Sequence, residues 1–143
     1  MSITVTAWIV ESTWPACVDG ARRYAPPDAD IVLLHISDPD VVRVARGAYA
    51  GLLGRGQPHR DPAAQVEDLA ATAARELLDQ AAARLARPCQ QVQRRGRVEA
   101  EVITAATGAE LLVLARDAGP GPRSLAPASR YVVDHAPCPV LLI

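Results

Sequence analysis

The sequence predicts an α/β protein: a doubly wound, five-stranded, mostly parallel sheet flanked by helices, as one domain over residues 1–143. Three observations predict it. ITVTAWIV, DIVLLHIS and ELLVLA are strand-length runs, apolar enough to be buried on both faces. Between them lie segments whose apolar residues recur at helical spacing, so strand and helix alternate. Half of the 143 residues are apolar, yet only 3% are aromatic and Phe is absent, so the core is built of Val, Leu, Ile and Ala. Such small aliphatics suit helices laid closely on a sheet.

The first strand is expected from Ile3 to Val10. Ser12 or Thr13 offers an N-cap and Pro15 stands near the first helical position, so ACVDGARRYA reads as a helix with Ala16, Cys17, Ala21 and Tyr24 or Ala25 facing inward. Pro26-Pro27 ends it. Asp30 to Ser37 is the second buried strand, closed by the polar turn Ser37-Asp38-Pro39-Asp40. Strand, helix and strand at this length make a right-handed parallel βαβ unit.

Val41 to Leu53 reads as a loose helix weakened by Gly47 and Gly51, and Gly54 to Pro62 as a flexible connection. Val66 to Arg87 is the strongest helical pattern, with Val66, Leu69, Ala70, Ala73, Leu77, Ala81 and Leu85 on one face. Pro88 stops it. Gln90 to Arg94 is a short polar strand, and Glu99 to Thr107 is a helix presenting Val102, Ile103 and Ala106. Gly108 stands where a helix C-terminus closes. Glu110 to Ala115 is the fourth strand, a helix starts near Pro127, and Pro139 to Ile143 supplies the fifth strand.

Charge and composition exclude several functions. Fifteen basic against sixteen acidic residues leave a net charge of -1, which provides no field for nucleic acid. Every basic residue besides the histidines is Arg, so a P-loop lysine and a Schiff-base lysine are both excluded. Cys17, Cys89 and Cys138 are odd in number and far apart, pointing to neither a disulfide framework nor a zinc site. MSITVTAWIV lacks a basic leader and its apolar run is too short for a membrane span. A cytoplasmic protein with no membrane and no nucleic-acid partner is expected.

Leu111 to Ile143 joins a strand, a Gly/Pro/Arg loop, a helix start and a last strand, the order in which an α/β protein presents a ligand crevice. Its end, HAPCPVLLI, resembles the closing segment of the universal stress protein (UspA-type) family. ADIVLLHIS is similar to that family's second strand with its Leu-His pair, and GRVEAEVITAATGAELLVLARD to the helix and fourth strand that follow. The likeness covers essentially the whole chain. It implies a Rossmann-like fold of the adenine-nucleotide alpha-hydrolase type, a homodimer through the last strand and, in one branch, an ATP site with a Gly-x2-Gly-x9-Gly-Ser/Thr loop and an Asp ending the first strand.

On this sequence the first-strand Asp falls on Val10 and the Gly pair on Ala115 and Ala118. The closing Gly-Ser falls on Ala126 and Pro127, and the main-chain adenine contact on Ile36. Every position that depends on a side chain departs from the pattern. Glycines in such a loop adopt positive φ and let the backbone approach phosphate oxygens; alanine does neither comfortably. Pro127 lacks the hydroxyl and also a backbone N–H, while being a favourable first residue for the helix. The expectation is a degenerate ATP motif, with no cofactor or weak binding only. The alternative is an ATP/AMP sensor with Mg, using a rearranged anion site around Arg116, Arg123, Ser124 and Ser129, with Gly119 and Gly121 in the loop.

No residues form a catalytic constellation or a metal site, so a non-enzyme is expected, working through an as yet unidentified protein partner. His35 reads as a hydrogen-bonded structural residue, His135 as a favourable charge at a helix end, and His59 as exposed. Cys17 and Cys138 read as buried thiols. Trp8 and Trp14 read as packing residues beside the crevice, where Trp14 is also placed to stack on a planar ligand. The uncharged run Val140 to Ile143 would be an exposed edge strand unless a two-fold partner strand covers it, which makes a homodimer the expected assembly.

Overall fold

In a computed structural model the protein is described over residues 2–39, 62–116 and 125–143. The elements are β1 (Thr4–Trp8), α1 (Trp14–Tyr24), β2 (Asp30–Ser37), α2 (Pro62–Leu85), β3 (Cys89–Arg95), α3 (Val98–Ala106), β4 (Leu111–Leu114), α4 (Pro127–His135) and β5 (Val140–Leu142). The five strands form one sheet in the order β3-β2-β1-β4-β5. Every neighbouring pair is parallel. The expected doubly wound α/β architecture is therefore present. The expected helix from Val41 to Leu53 and the connection from Gly54 lie outside the described residues; Pro62 opens α2.

β1 is central because its residues are buried on both faces. Val5, Ala7 and Ile9 face one helical layer; Trp8, with Leu34 and Ile36 of β2, faces the other. Cys17, Val18 and Ala21 of α1 and Leu78, Ala81 and Leu85 of α2 fill the first layer. Val102 and Ala106 of α3 and Val132 of α4 fill the second. Arg84 of α2 grips the Asp19 carboxylate of α1 through two hydrogen bonds of 2.8 Å, which ties the helices of the first layer together across solvent.

Several local expectations are corrected. On α1, Ala16 is exposed, and of the two alternatives Tyr24 and Ala25 it is Ala25 that is buried while Tyr24 is 55% exposed; Val18 and Gly20 are buried too, and Thr13 is the N-cap residue but its side chain makes no cap hydrogen bond. On α2 the buried stripe is Ala74, Leu78, Ala81 and Leu85, while Ala73 is exposed and Leu69 is 69% exposed. Ala81 and Leu85 are thus buried as expected and Leu77 partly so, but in the first part of the helix the buried face is turned by about one residue, because alanines supply apolar surface all round it. β3 is longer than Gln90 to Arg94, and its alternately exposed polar residues suit the edge of the sheet. Gly108 does not take the left-handed cap conformation; the residue that does so is Ala86, with φ 53°, just beyond α2.

Candidate functional site

The C-terminal ends of β1, β2 and β4 converge with the start of α4, which is where an open parallel sheet binds ligands. Beyond β1, the Ile9 N–H donates to Leu34 O at 2.7 Å and the Val10 carbonyl accepts the Thr13 N–H at 3.1 Å, turning the chain into α1. The Val10 side chain packs against the α3/α4 core layer. Ile36 is only 6% exposed and belongs to the same layer. Ala115 packs instead on the α1/α2 layer, and the Arg116 N–H donates to Ile143 O at 3.1 Å.

At the start of α4, Ala126 is the N-cap and makes no side-chain cap hydrogen bond, and Pro127 is the first helical residue. Such a helix end has lost both a hydroxyl and one of the N–H groups an anion would use. The Ala126 carbonyl accepts the Arg130 N–H at 2.9 Å. Thus Val10, Ile36, Ala115, Ala126 and Pro127 are all described at this end of the sheet. Ala118 and Arg123, with Gly119, Gly121 and Ser124, lie outside the described residues.

Neither described histidine forms a general-base pair. His35 Nδ1 lies 2.8 Å from Ile9 O and His135 Nδ1 lies 2.9 Å from Tyr131 O, so both rings are held by main-chain carbonyls. His135 also stacks on Tyr131, with ring centroids 4.0 Å apart. The thiols are not activated nucleophiles. Burial pushes Cys17 up to about 12, where its Sγ donates weakly to the carbonyls of Trp8 and Val113. Cys138 is also raised, by burial and then by the nearby Glu110 charge, and Cys89 by burial alone. Cys138 is half-buried, more open than the sequence suggests. Trp8 is core, whereas Trp14 is half-buried at the rim.

Beside this end of the sheet lies a hollow of about 720 Å³ that the sequence does not reveal. Glu11 and Trp14 line it from the β1–α1 turn, His35 and Asp38 from the end of β2, and Glu76 and Leu77 from α2. Ile36 also lines it, so of its lining Trp14 and Ile36 carried a sequence signal for ligand contact. Among the described residues no group of three His, Cys, Asp or Glu is gathered closely enough to hold a metal ion, and no helix is long and apolar enough to cross a membrane.

A five-stranded parallel sheet in this order, flanked by helices, defines a doubly wound α/β protein. The universal stress protein family model matches residues 11–143, and the chain belongs to that family. Solved structures agree in fold. The universal stress protein UspA from Lactobacillus plantarum is 20% identical with a TM-score of 0.67, the match covering 99% of this chain and 97% of that one. A universal stress protein in complex with cAMP is 18% identical with a TM-score of 0.60, covering 99% and 96%. A universal stress family protein from Arabidopsis thaliana with AMP bound is 16% identical with a TM-score of 0.60, covering 99% and 90%. No curated protein matches the chain.

Proposed function

We propose that this universal stress protein is a non-enzymatic homodimer that acts in stress response through protein contacts, in the cytoplasm, and binds nucleotide weakly or not at all. The observation that carries the nucleotide part is the start of α4. An anion arriving there meets the Pro127 ring in place of both a hydroxyl and an N–H, and the Ala126 methyl where the pattern has a glycine. Val10 supports the same reading, because an isopropyl group packed among apolar neighbours accepts no hydrogen bond from a ribose.

The dimer part rests on β5. The Pro139 carbonyl and the Ile143 N–H bond to β4. Strand alternation therefore turns the N–H and C=O groups of Val140 and Leu142 to the outer edge of the sheet, where no strand follows among the described residues. A second copy related by a two-fold axis would satisfy these groups with the same surface on both subunits.

Two experiments test the proposal. Deleting Val140 to Ile143 is expected to give monomer or insoluble protein on a sizing column with light scattering, and a soluble, fully dimeric truncation refutes it. Since the deletion also removes core side chains, Leu142→Pro is the gentler variant: it removes one outward N–H while keeping apolar bulk, and is expected to weaken the dimer without unfolding the subunit. Calorimetry with ATP, AMP and Mg²⁺ addresses the nucleotide. Micromolar binding that disappears in Arg123→Ala overturns the proposal in favour of a second reading, an ATP/AMP-binding sensor with a rearranged loop. That reading draws its support from the structural neighbours that carry cAMP and AMP.

A further inference from the structure

We propose that Gly20 of α1 is a positioning residue for the β5 edge: it is the seat that receives the Ile143 side chain and so fixes the outward groups of Leu142, through which a second copy pairs. The inference rests on the dimer reading above and deepens it by naming what holds the pairing edge in place.

Gly20 lies inside α1 and is buried. A glycine there weakens the helix relative to alanine, and its backbone does not use the left-handed region that would call for one. The reason lies on the neighbouring strand. A Cβ at position 20 would overlap Ile143 Cδ1 and stand 2.6 Å from Ile143 Cγ1. Ile143 packs on the same core layer as Cys17, Val18 and Ala21 of α1. Its side chain is thus a knob in a hole that the missing Cβ leaves open.

What the seat controls follows from the ladder. The Ile143 N–H donates to Leu114 O at 3.0 Å and the Ile143 carbonyl accepts the Arg116 N–H at 3.1 Å, while the Pro139 carbonyl accepts the Leu112 N–H at 2.9 Å. Between these two anchors β5 has only three residues, Val140–Leu142, and alternation turns the main-chain groups of Val140 and Leu142 outward. A two-fold pair centred on Leu141 sets Val140 of one copy against Leu142 of the other. Every hydrogen bond of that ladder then has Leu142 at one end, and half of them use its carbonyl. The Leu142 carbonyl and the Ile143 N–H belong to one planar peptide, so displacing Ile143 turns that carbonyl away from its partner.

The full chain is followed by light scattering over a dilution series, with circular dichroism verifying the fold. Gly20→Ala is expected to raise the dimer Kd about tenfold, as weakening two main-chain hydrogen bonds implies, while the helical signal is retained because alanine favours the helix. Adding Ile143→Ala removes both obstructing carbons and leaves Cβ at 3.7 Å, an ordinary contact. The double variant should therefore recover to within about threefold of the wild type, a coupling that independent sites do not show. Gly108→Ala, where a Cβ meets nothing within 4 Å, should leave the Kd unchanged. With a dimeric wild type, an unchanged Kd in Gly20→Ala, an equal loss in Gly108→Ala, or no recovery in the double variant each overturns the inference alone. If Gly20→Ala does not fold, Ile143→Ala carries the test: emptying the seat should also raise the Kd, and an unchanged value overturns the inference. A monomeric wild type overturns the dimer reading and this inference with it.

Discussion

Replacing Leu78 by Ala tests which face of α2 meets the sheet. Leu78 is fully buried, in the same core layer as Cys17, Ala21 and Leu33, so its truncation loses the transfer free energy of the removed atoms and leaves a cavity behind. Leu→Ala at such sites costs about 2–5 kcal/mol. Its nearest partners on the helix stripe, Ala74 and Ala81, are already small and cannot swing in to fill the space, so a loss of about 3 kcal/mol is expected. For a chain of this length that lowers the melting temperature by about 6–12 °C.

Leu69→Ala is the matched control. Its side chain is 69% exposed, and the change should stay within about 0.5 kcal/mol. Urea unfolding at one fixed protein concentration, with an unchanged slope, measures both. Equal losses for the two variants, or a larger one for Leu69→Ala, would refute the observed rotation of α2 and restore the face that the leucine spacing alone suggests.

Ala86 holds φ 53°, a conformation that glycine adopts without Cβ strain, so Ala86→Gly should stabilise the chain by about 0.5–1 kcal/mol once the greater freedom of the unfolded glycine is subtracted; thermal melting reads it. Gly96→Ala should do the reverse by about 1–3 kcal/mol, because φ there is +153° and a Cβ would stand 2.8 Å from Glu101 Oε1; the same melt reads it. Burial lifts the Cys17 thiol from its ordinary 9.0 to about 12, so the folded protein keeps a proton that the unfolded chain has released. Its contribution is complete below pH 9 and is lost as pH rises towards 12, at about 1.4 kcal/mol per unit. Cys17→Ala should flatten that part of the stability profile measured by urea unfolding, and an unchanged slope would count against the shift.

The sheet was legible because uniformly apolar, β-branched runs such as DIVLLHIS have few alternatives to a strand buried on both faces. Proline gave the helix starts reliably: Pro15 and Pro127 stand in the first turns of α1 and α4. The rotation of α2 was not legible, since AATAARELLDQAAARLA offers apolar surface in every direction and the choice is made by packing. β3 looked weak for a physical reason: an edge strand keeps its side chains wet, so CQQVQRR carries little hydrophobic signal. At the site, the departures at Val10, Ala115, Ala126 and Pro127 were readable one by one. The hollow was not, because Glu11, His35 and Glu76 are brought together only by how α2 lies across the end of β2.

The strand order places β1, made before every other strand of the sheet, at its centre, with β2 on one side and β4 on the other. Val5 is paired with Ile31 and also with Leu111. During synthesis one edge of β1 can be closed early, but the other stays open until Leu111 to Leu114 has emerged. An apolar strand is thus exposed to neighbouring chains until then, and the pairing that ends this exposure is the most distant one in sequence, whose closure entropy slows folding. The N-terminal half of this protein on its own should therefore be the aggregation-prone species, and its need for a chaperone should end when β4 arrives.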